Sequence, residues 1–204
     1  ALEVMSFTHV KAGADYVVLT MTIVVALAFL VAVTAVPFPF LPRHVTLIAW
    51  FTIGIPAFFL ALAPNPARAQ GGFVRRVLGE AVPGGVGAAF ASYGAYVMAR
   101  SVLGASAAEK VATSSTAFLA LVIVAFFVLF TVARPFRLWK TLLVGVMVGG
   151  MLAAILTPFG ASVFDIDLGD WRAVAIAGGF GAAGIGLRFL VRWGILAVQR
   201  LRRR

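Results

Sequence analysis

Long runs of apolar, uncharged residues are the feature that most restricts how this chain can fold. Residues 16–36 form the first such run, and about 20 apolar residues suffice for a helix to cross the hydrocarbon core of a bilayer. With 62% hydrophobic and 12% charged residues, the 204-residue chain has more apolar surface than a globule could bury. The sequence therefore predicts an all-α, polytopic membrane protein.

The apolar runs predict six transmembrane helices. Their expected bounds are about 16–36, 45–63, 81–103, 111–132, 138–158 and 171–193. Residues 1–15 are a predicted N-terminal lead-in, residues 16–198 the transmembrane domain, and residues 199–204 a basic tail. The arginine-bearing segment 67–80 has an amphipathic pattern and is predicted as an interfacial lead-in to the third span.

Small residues predict how the spans pack, because they let helix backbones approach closely. The third span is rich in Gly and Ala and is expected to be buried among its neighbours, whereas the fourth is expected to face lipid more. Gly145 and Gly149 predict a packing surface on the fifth span, and a group of glycines between 178 and 186 predicts one on the sixth. Arg188 and Arg192 are expected to extend toward the membrane interface.

The distribution of basic residues predicts the orientation. Of the 17 lysines and arginines, all but four, Arg43, Arg100, Lys110 and Arg172, lie in the termini, in loops 64–80 and 134–140, or near the C-terminal end. Cytoplasmic loops carry such an excess, which predicts both termini in the cytoplasm, a multi-pass protein of the plasma membrane, and contact with anionic lipid headgroups. Because the net charge of +10 comes from short clusters between apolar runs, no nucleic-acid partner is predicted.

Few residues suit catalysis or metal binding. The chain has no cysteine, and neither a phosphate-binding loop nor a dinucleotide-binding motif occurs. His9 and His44 fall on opposite predicted sides of the membrane and are interpreted as interfacial residues. Asp165, Asp167 and Asp170 form an acidic cluster that lacks the pattern of a calcium loop and is interpreted as a solvated loop. We therefore predict no catalytic residue, cofactor or metal site in this chain, and no enzyme activity of the isolated chain.

Residues 51–65 combine a membrane-spanning composition with a central Gly54-Ile55-Pro56. Proline removes a backbone donor, and carbonyls freed at membrane depth require protein, water or an ion as a partner. Two interpretations stay open, an ion path and a structural kink. The span centres carry no ionisable side chain, and most of the hydroxyls at that depth, from Thr20 to Thr116, are expected to bond to their own helix.

The runs 37–44 and 52–65 resemble the fifth-to-sixth span region of actinobacterial P-type cation-transporting ATPases. Residues 72–78, 133–135 and 170–171 follow in the order of that family. The resemblance implies that the six helices correspond to the fifth to tenth spans of a ten-span pump, its C-terminal membrane domain. The second predicted span would then be the ion-lining sixth span.

The resemblance also shows a departure. Calcium pumps of the wider family carry Thr-Asp-Gly-Leu-Pro-Ala where this chain has residues 52–57, so Ile53 replaces an ion-binding aspartate. The candidate ion path consists of Thr52, Ile53, Gly54 and Pro56, in a helix expected to be unwound from Gly54 to Pro56. It would hold an inorganic cation through backbone carbonyls and the Thr52 hydroxyl.

The 204 residues contain no counterpart of the Asp-Lys-Thr-Gly phosphorylation loop or of the family's nucleotide-binding and actuator domains. ATP and Mg²⁺ would act only through those missing domains, which would lie elsewhere or on another chain. The sequence thus predicts the membrane module of a P-type cation pump, calcium-type among the options. The alternative is a non-catalytic membrane scaffold or regulatory protein derived from such a module. A free-standing carrier is disfavoured, because no internal repeat relates the two halves.

Overall fold

The computed structural model describes residues 2–62, 73–106, 109–132 and 138–201, and these residues form helices joined by turns and loops without a β-strand. The all-α prediction is confirmed. The elements are α1 (Leu2–Thr34), α2 (Pro42–Ile48), a π-helical segment (Ala49–Gly54), α3 (Ile55–Leu62), α4 (Phe73–Val102), α5 (Lys110–Val132), α6 (Leu138–Leu156), α7 (Pro158–Phe164) and α8 (Trp171–Leu201). Side chains are described over 18–52, 54–59, 78–106, 109–131 and 138–197.

Some predicted features lie outside the described residues. Among them are most of the basic loop 64–80, Arg134 and Arg137 of the second basic loop, the side chain of His9, and the end of the basic tail. Within the described part, residues 73–80 continue directly into α4, so the expected interfacial lead-in is the first part of one long helix.

Three helices are long and apolar enough to cross a membrane. Their apolar stretches are Lys110–Thr131, Leu138–Leu156 and Trp171–Ala197, with mean hydropathies of 2.3, 1.8 and 1.7. A shorter apolar stretch is Val18–Thr34. This count applies to the described residues and rests on length and composition. The chain is therefore a helical membrane protein, and its six spans remain a prediction.

Helix α4 lies at the centre of a bundle, between α1, α5 and α8. Its glycines permit the close approach, since a Cβ added to Gly184 of α8 would lie 2.5 Å from the carbonyl oxygen of Gly87. A Cβ on Gly85 would lie 2.6 Å from Cβ of Thr22 in α1. The prediction that the third span is buried among its neighbours is confirmed.

Helix α5 does not face lipid more than α4 does, so that expectation is wrong. Most of its described residues are buried, because α5 packs against both α4 and α8. Buried small residues such as Ala117 and Ala120 lie at its contacts, and Ile123 contacts Gly181 of α8. Helix α6 faces outward over much of its surface and exposes Leu138, Leu142, Val146, Leu152 and Leu156.

The glycine surface predicted on the fifth span is also placed wrongly. Gly145 and Gly149 face open space, with no atom within 4 Å of an added Cβ among the described residues. The contact is made by the next residue, since a Cβ on Gly150 would lie 3.0 Å from Cζ of Phe51 in the π-helical segment. On the sixth span, Gly181 and Gly184 form the predicted close contacts, whereas an added Cβ on Gly178, Gly179 or Gly186 meets no described atom within 4 Å.

Inter-helix contacts give the relative directions of the long helices. Between α4 and α8, Glu80 meets Arg188 and Gly94 lies against Phe180, so these two helices are antiparallel. Between α5 and α8, Ile123 meets Gly181 and Thr131 meets Arg188, so they are parallel. Helix α1 runs with α4, since Thr22 lies at Gly85 and Thr34 bonds Tyr93. These are the directions that the first, third, fourth and sixth of six successive membrane spans would have.

Candidate functional site

The candidate ion-path residues lie on a helix that changes its hydrogen-bond register. From Ala49 to Gly54 the backbone is π-helical, and the amide of Ile55 donates to the carbonyl of Trp50, five residues earlier. The next residue, Pro56, has no amide hydrogen, so the π-helical register ends where a donor is missing. From Ile55 onward the chain is α-helical.

The expected unwinding from Gly54 to Pro56 is therefore wrong. The helix remains continuous through Pro56 and absorbs the missing donor as a π-helical segment instead of a break. Pro56 is fully buried, and a Cβ on Gly54 would lie 3.2 Å from the carbonyl oxygen of Ala49. π-Helical segments are rare, and where they occur inside α-helices they are often found at functional sites.

Thr52 is the polar side chain of this segment and is 3% exposed. Its hydroxyl donates to the carbonyl of Ile48 at 2.7 Å, which leaves the hydroxyl oxygen's lone pairs available. The same back-bonding is made by Thr22, Thr34, Thr46, Ser92 and Thr116, which confirms the prediction for these hydroxyls. The side chain of Ile53 lies outside the described residues.

Thr52 lines a cavity of about 170 Å³ between α1, α2, the π-helical segment, α4 and α5. Its other walls are apolar except at Thr20, with Ile48, Leu121 and Val128 among them. Two hydroxyls and backbone carbonyls are neutral ligands, which supply no charge to compensate a dehydrated divalent ion. Among the described residues, no group of three or more His, Asp or Glu side chains could hold a metal ion.

A first polar cluster lies at the α2 end of the bundle. The guanidinium of Arg43 pairs with the carboxylate of Asp165 at 2.7 Å, and Nε2 of His44 lies 3.1 Å from the carbonyl oxygen of Asp165. The Ser115 hydroxyl accepts from the amide of Asp167 at 2.9 Å. This cluster fastens the loop before α8 to α2 and α5.

One expectation changes at this cluster. His44, interpreted as interfacial, is fully buried against the ring of Phe118 at a centroid distance of 4.9 Å. Asp165 is partly exposed in its ion pair, and Asp167 and Asp170 are exposed, so the acidic loop faces solvent as expected. Asp170 accepts from the amide of Arg172 at 2.8 Å and so caps the start of α8.

A second polar cluster, formed by Glu80, Arg188, Arg192 and Thr131, lies at the opposite end of the bundle. Nη2 of Arg188 lies 3.5 Å from the Glu80 carboxylate, and its Nη1 donates to the hydroxyl of Thr131 at 3.2 Å. Nη1 of Arg192 lies 2.5 Å from Oε1 of Glu80. We call these four residues the arginine cluster.

Arg188 does not extend outward from the bundle as expected. Only 3% of its surface is exposed, and its guanidinium lies over the ring of Phe127 at 5.3 Å. The partner Glu80 explains the difference, since a buried guanidinium requires an opposite charge. Arg192, with 41% of its side chain exposed, keeps the expected partly exposed position.

Sequence reasoning missed Glu80 because it lay in the presumed interfacial lead-in. A signal was present, since Arg188 and Arg192 are one helical turn apart and share a face of α8. Glu80 is the one acidic residue in the stretch of chain between Asp15 and Glu109. Two arginines on one face predict a carboxylate partner when they point into the protein.

Comparison with known proteins gives the family. The chain is 39% identical over 156 residues to the calcium-transporting ATPase CtpE of Mycolicibacterium smegmatis, and 40% identical over 167 residues to that of Mycobacterium tuberculosis. The matches cover 76% and 79% of this chain. It belongs to the P-type cation-transporting ATPase family. A probable cation-transporting ATPase of Streptococcus pneumoniae is 31% identical over 122 residues, 59% of the chain.

The chain spans about a fifth of the length of the calcium-transporting ATPases that it matches, 20% and 21%. No model of a protein family matches the chain, and no solved structure does. The resemblance to P-type cation-transporting ATPases inferred from residues 37–44 and 52–65 is confirmed. The chain is thus the membrane portion of a protein of this family.

Proposed function

We propose that this chain forms the fifth to tenth spans of a P-type cation pump, with six transmembrane helices and both termini in the cytoplasm. The similarity to calcium-transporting ATPases over about three-quarters of the chain carries this proposal. The directions of α1, α4, α5 and α8 support it. The chain then lies in the plasma membrane. The arginine cluster and most other basic residues are at its cytoplasmic end.

The separation of the two polar clusters agrees with this placement. Ser115 of the first cluster and Thr131 of the arginine cluster are both on α5. Their 16 residues of separation correspond to about 24 Å of helix, slightly less than the hydrocarbon thickness of roughly 30 Å. The polar clusters therefore fall near the two membrane interfaces.

The helix from Pro42 to Leu62 is the proposed ion-lining span. Its π-helical segment supplies backbone carbonyls around Ile53 and Pro56, together with the Thr52 hydroxyl, as neutral ligands for an inorganic cation. The names of three relatives specify calcium, so a calcium-type cation is the proposed cargo. ATP and Mg²⁺ would act through pump domains outside these 204 residues, on this or another chain.

The alternative function is a non-catalytic scaffold or regulatory protein derived from the same module. Two observations favour it, the absence of a carboxylate at position 53 and the continuity of the helix through Pro56. A pump whose path has only neutral ligands would bind a divalent ion weakly. A transport assay separates the two functions.

The transport test is a chimera in which this chain replaces the matching part of CtpE from Mycolicibacterium smegmatis. We expect calcium uptake into inverted vesicles, and Thr52→Val should reduce its rate by about three- to fivefold, since one hydroxyl ligand is worth roughly 1 kcal/mol. Thr46→Val is the matched control, because Thr46 is exposed on the same helix and also bonds back to it. Uptake that is equal in the two variants would contradict the path at Thr52, and no uptake at all would favour the scaffold.

The orientation is tested separately with single cysteines, since the chain has none. Gln70→Cys and Arg137→Cys should be protected from an impermeant thiol reagent added outside intact cells, whereas Ser106→Cys should react. The reason is that positions 70 and 137 belong to the basic loops proposed to be cytoplasmic. The reverse pattern of labelling would overturn the proposed orientation.

A further inference from the structure

The arginine cluster has more positive than negative charge. Glu80 is shared by Arg188 and Arg192, which leaves a formal charge of +1. The carboxyl end of α5, next to Thr131, contributes a partial negative charge from its helix dipole that is directed at the buried Arg188. The cluster as a whole therefore keeps an uncompensated positive charge, and Arg192 is the more exposed of its two guanidinium groups.

Arg192 also has hydrogen-bonding groups to spare. Its Nη1 is occupied by Glu80, whereas Nε and Nη2 make no hydrogen bond to any side chain that the structure describes. With 41% of its side chain exposed, Arg192 is accessible from outside the bundle. A guanidinium with two free N–H directions suits bidentate binding of a phosphate.

The surface around Arg192 is apolar. Phe189 and Leu196, three and four residues from Arg192, are its neighbours on α8, and Trp193 adjoins them one turn after Phe189; all three are exposed. Trp193 is 73% exposed, and tryptophan at a helix end is typical of the headgroup level of a bilayer. A ligand of Arg192 therefore has a charged group at the interface and an apolar part that lies along α8.

We propose that Arg192 binds the phosphate of an anionic phospholipid, whose acyl chains lie on the exposed face formed by Phe189, Trp193 and Leu196. Glu80, which also pairs with Arg188, holds the Arg192 side chain in position. The inference rests on the proposed location in the membrane, but it does not depend on ion transport. A negative result here would leave the transport test unaffected.

The test measures lipid binding to the purified chain by native mass spectrometry in a mild detergent. Phosphatidylglycerol should bind more tightly than phosphatidylcholine with the same acyl chains. Arg192→Gln should weaken phosphatidylglycerol binding about fivefold, since one arginine at the headgroup is worth about 1 kcal/mol. Arg172→Gln removes the same charge from the other end of α8 and should change the affinity by less than about twofold.

A second pair of variants covers the case in which Arg192→Gln does not fold. Leu196→Lys adds a charge one turn from Arg192 and should raise phosphatidylglycerol affinity about threefold, whereas Val174→Lys at the far end of α8 should not. Equal effects within either pair would show non-specific charge attraction and would overturn the proposed site. Displacement of the lipid by inorganic phosphate at the same concentration would overturn the phospholipid as its ligand.

Discussion

Gly184→Leu should lower the free energy of unfolding of this chain by about 3 kcal/mol, the upper part of the range for overpacked cores. The backbones of α4 and α8 touch at this position. A Cβ on Gly184 would lie 2.5 Å from the Gly87 carbonyl oxygen and 2.7 Å from Cβ of Ala91. The backbone atom cannot rotate away as a side chain would, so the two helices must separate.

Gly186→Leu is the matched control for this substitution. It makes the same change two residues later on the same helix, where an added Cβ meets no described atom within 4 Å. Both variants gain similar helix propensity, so their difference reports the helix contact. Thermal unfolding in detergent, followed by circular dichroism, measures both. Equal stabilities would show that α4 and α8 do not touch at Gly184.

Glu80→Gln should destabilise the chain by about 2–3 kcal/mol. The change keeps the shape of the side chain but leaves Arg188, which is 3% exposed, without its opposite charge. Breaking a buried ion pair costs about 3–5 kcal/mol, and the partial exposure of Glu80, 38% of its side chain, reduces this figure. The effect should be nearly independent of salt, since buried charges are little screened.

Two comparisons test this explanation. Asp167→Asn neutralises a carboxylate at an exposed residue. Its Oδ1 accepts from the amide of Gly169, and the Asn oxygen would still accept this bond. The substitution should therefore cost less than about 0.5 kcal/mol of stability. Adding Arg188→Met to Glu80→Gln should recover most of the lost stability, because an apolar side chain then replaces the unpaired charge. Additive losses in the double variant would contradict a charge-based effect.

The helical, membrane-spanning character of the chain could be predicted because the bilayer imposes length and apolarity on each span. The rotation of each helix about its axis could not. Gly145, Gly149 and Gly150 lie within two turns of one helix, and only the position of Phe51 on another helix makes Gly150 the contact. The burial of α5 likewise depends on neighbours on both sides, which its own composition does not encode.

The irregularity of the helix that carries the candidate ion path was predicted in place but not in form. Gly54 and Pro56 correctly indicated an irregular helix. The sequence does not distinguish a break from a π-helical segment, because either form accommodates a proline, which has no amide hydrogen to donate. The arginine cluster depends on Glu80 and Arg188, which are more than 100 residues apart in the chain and meet only through the antiparallel packing of α4 and α8.

The π-helical segment also sets the angular relation between the two halves of its span. One residue added to a helix turns everything beyond it by about 100°. The π-helical segment therefore changes the direction in which the side chains of α3 point relative to those of α2. Deleting a single residue between Ala49 and Gly54 would rotate Phe58 and Phe59, both exposed, relative to the buried His44. The angle between the α2 half, which is fixed at His44, and the α3 half of this helix is therefore set by the number of residues between them.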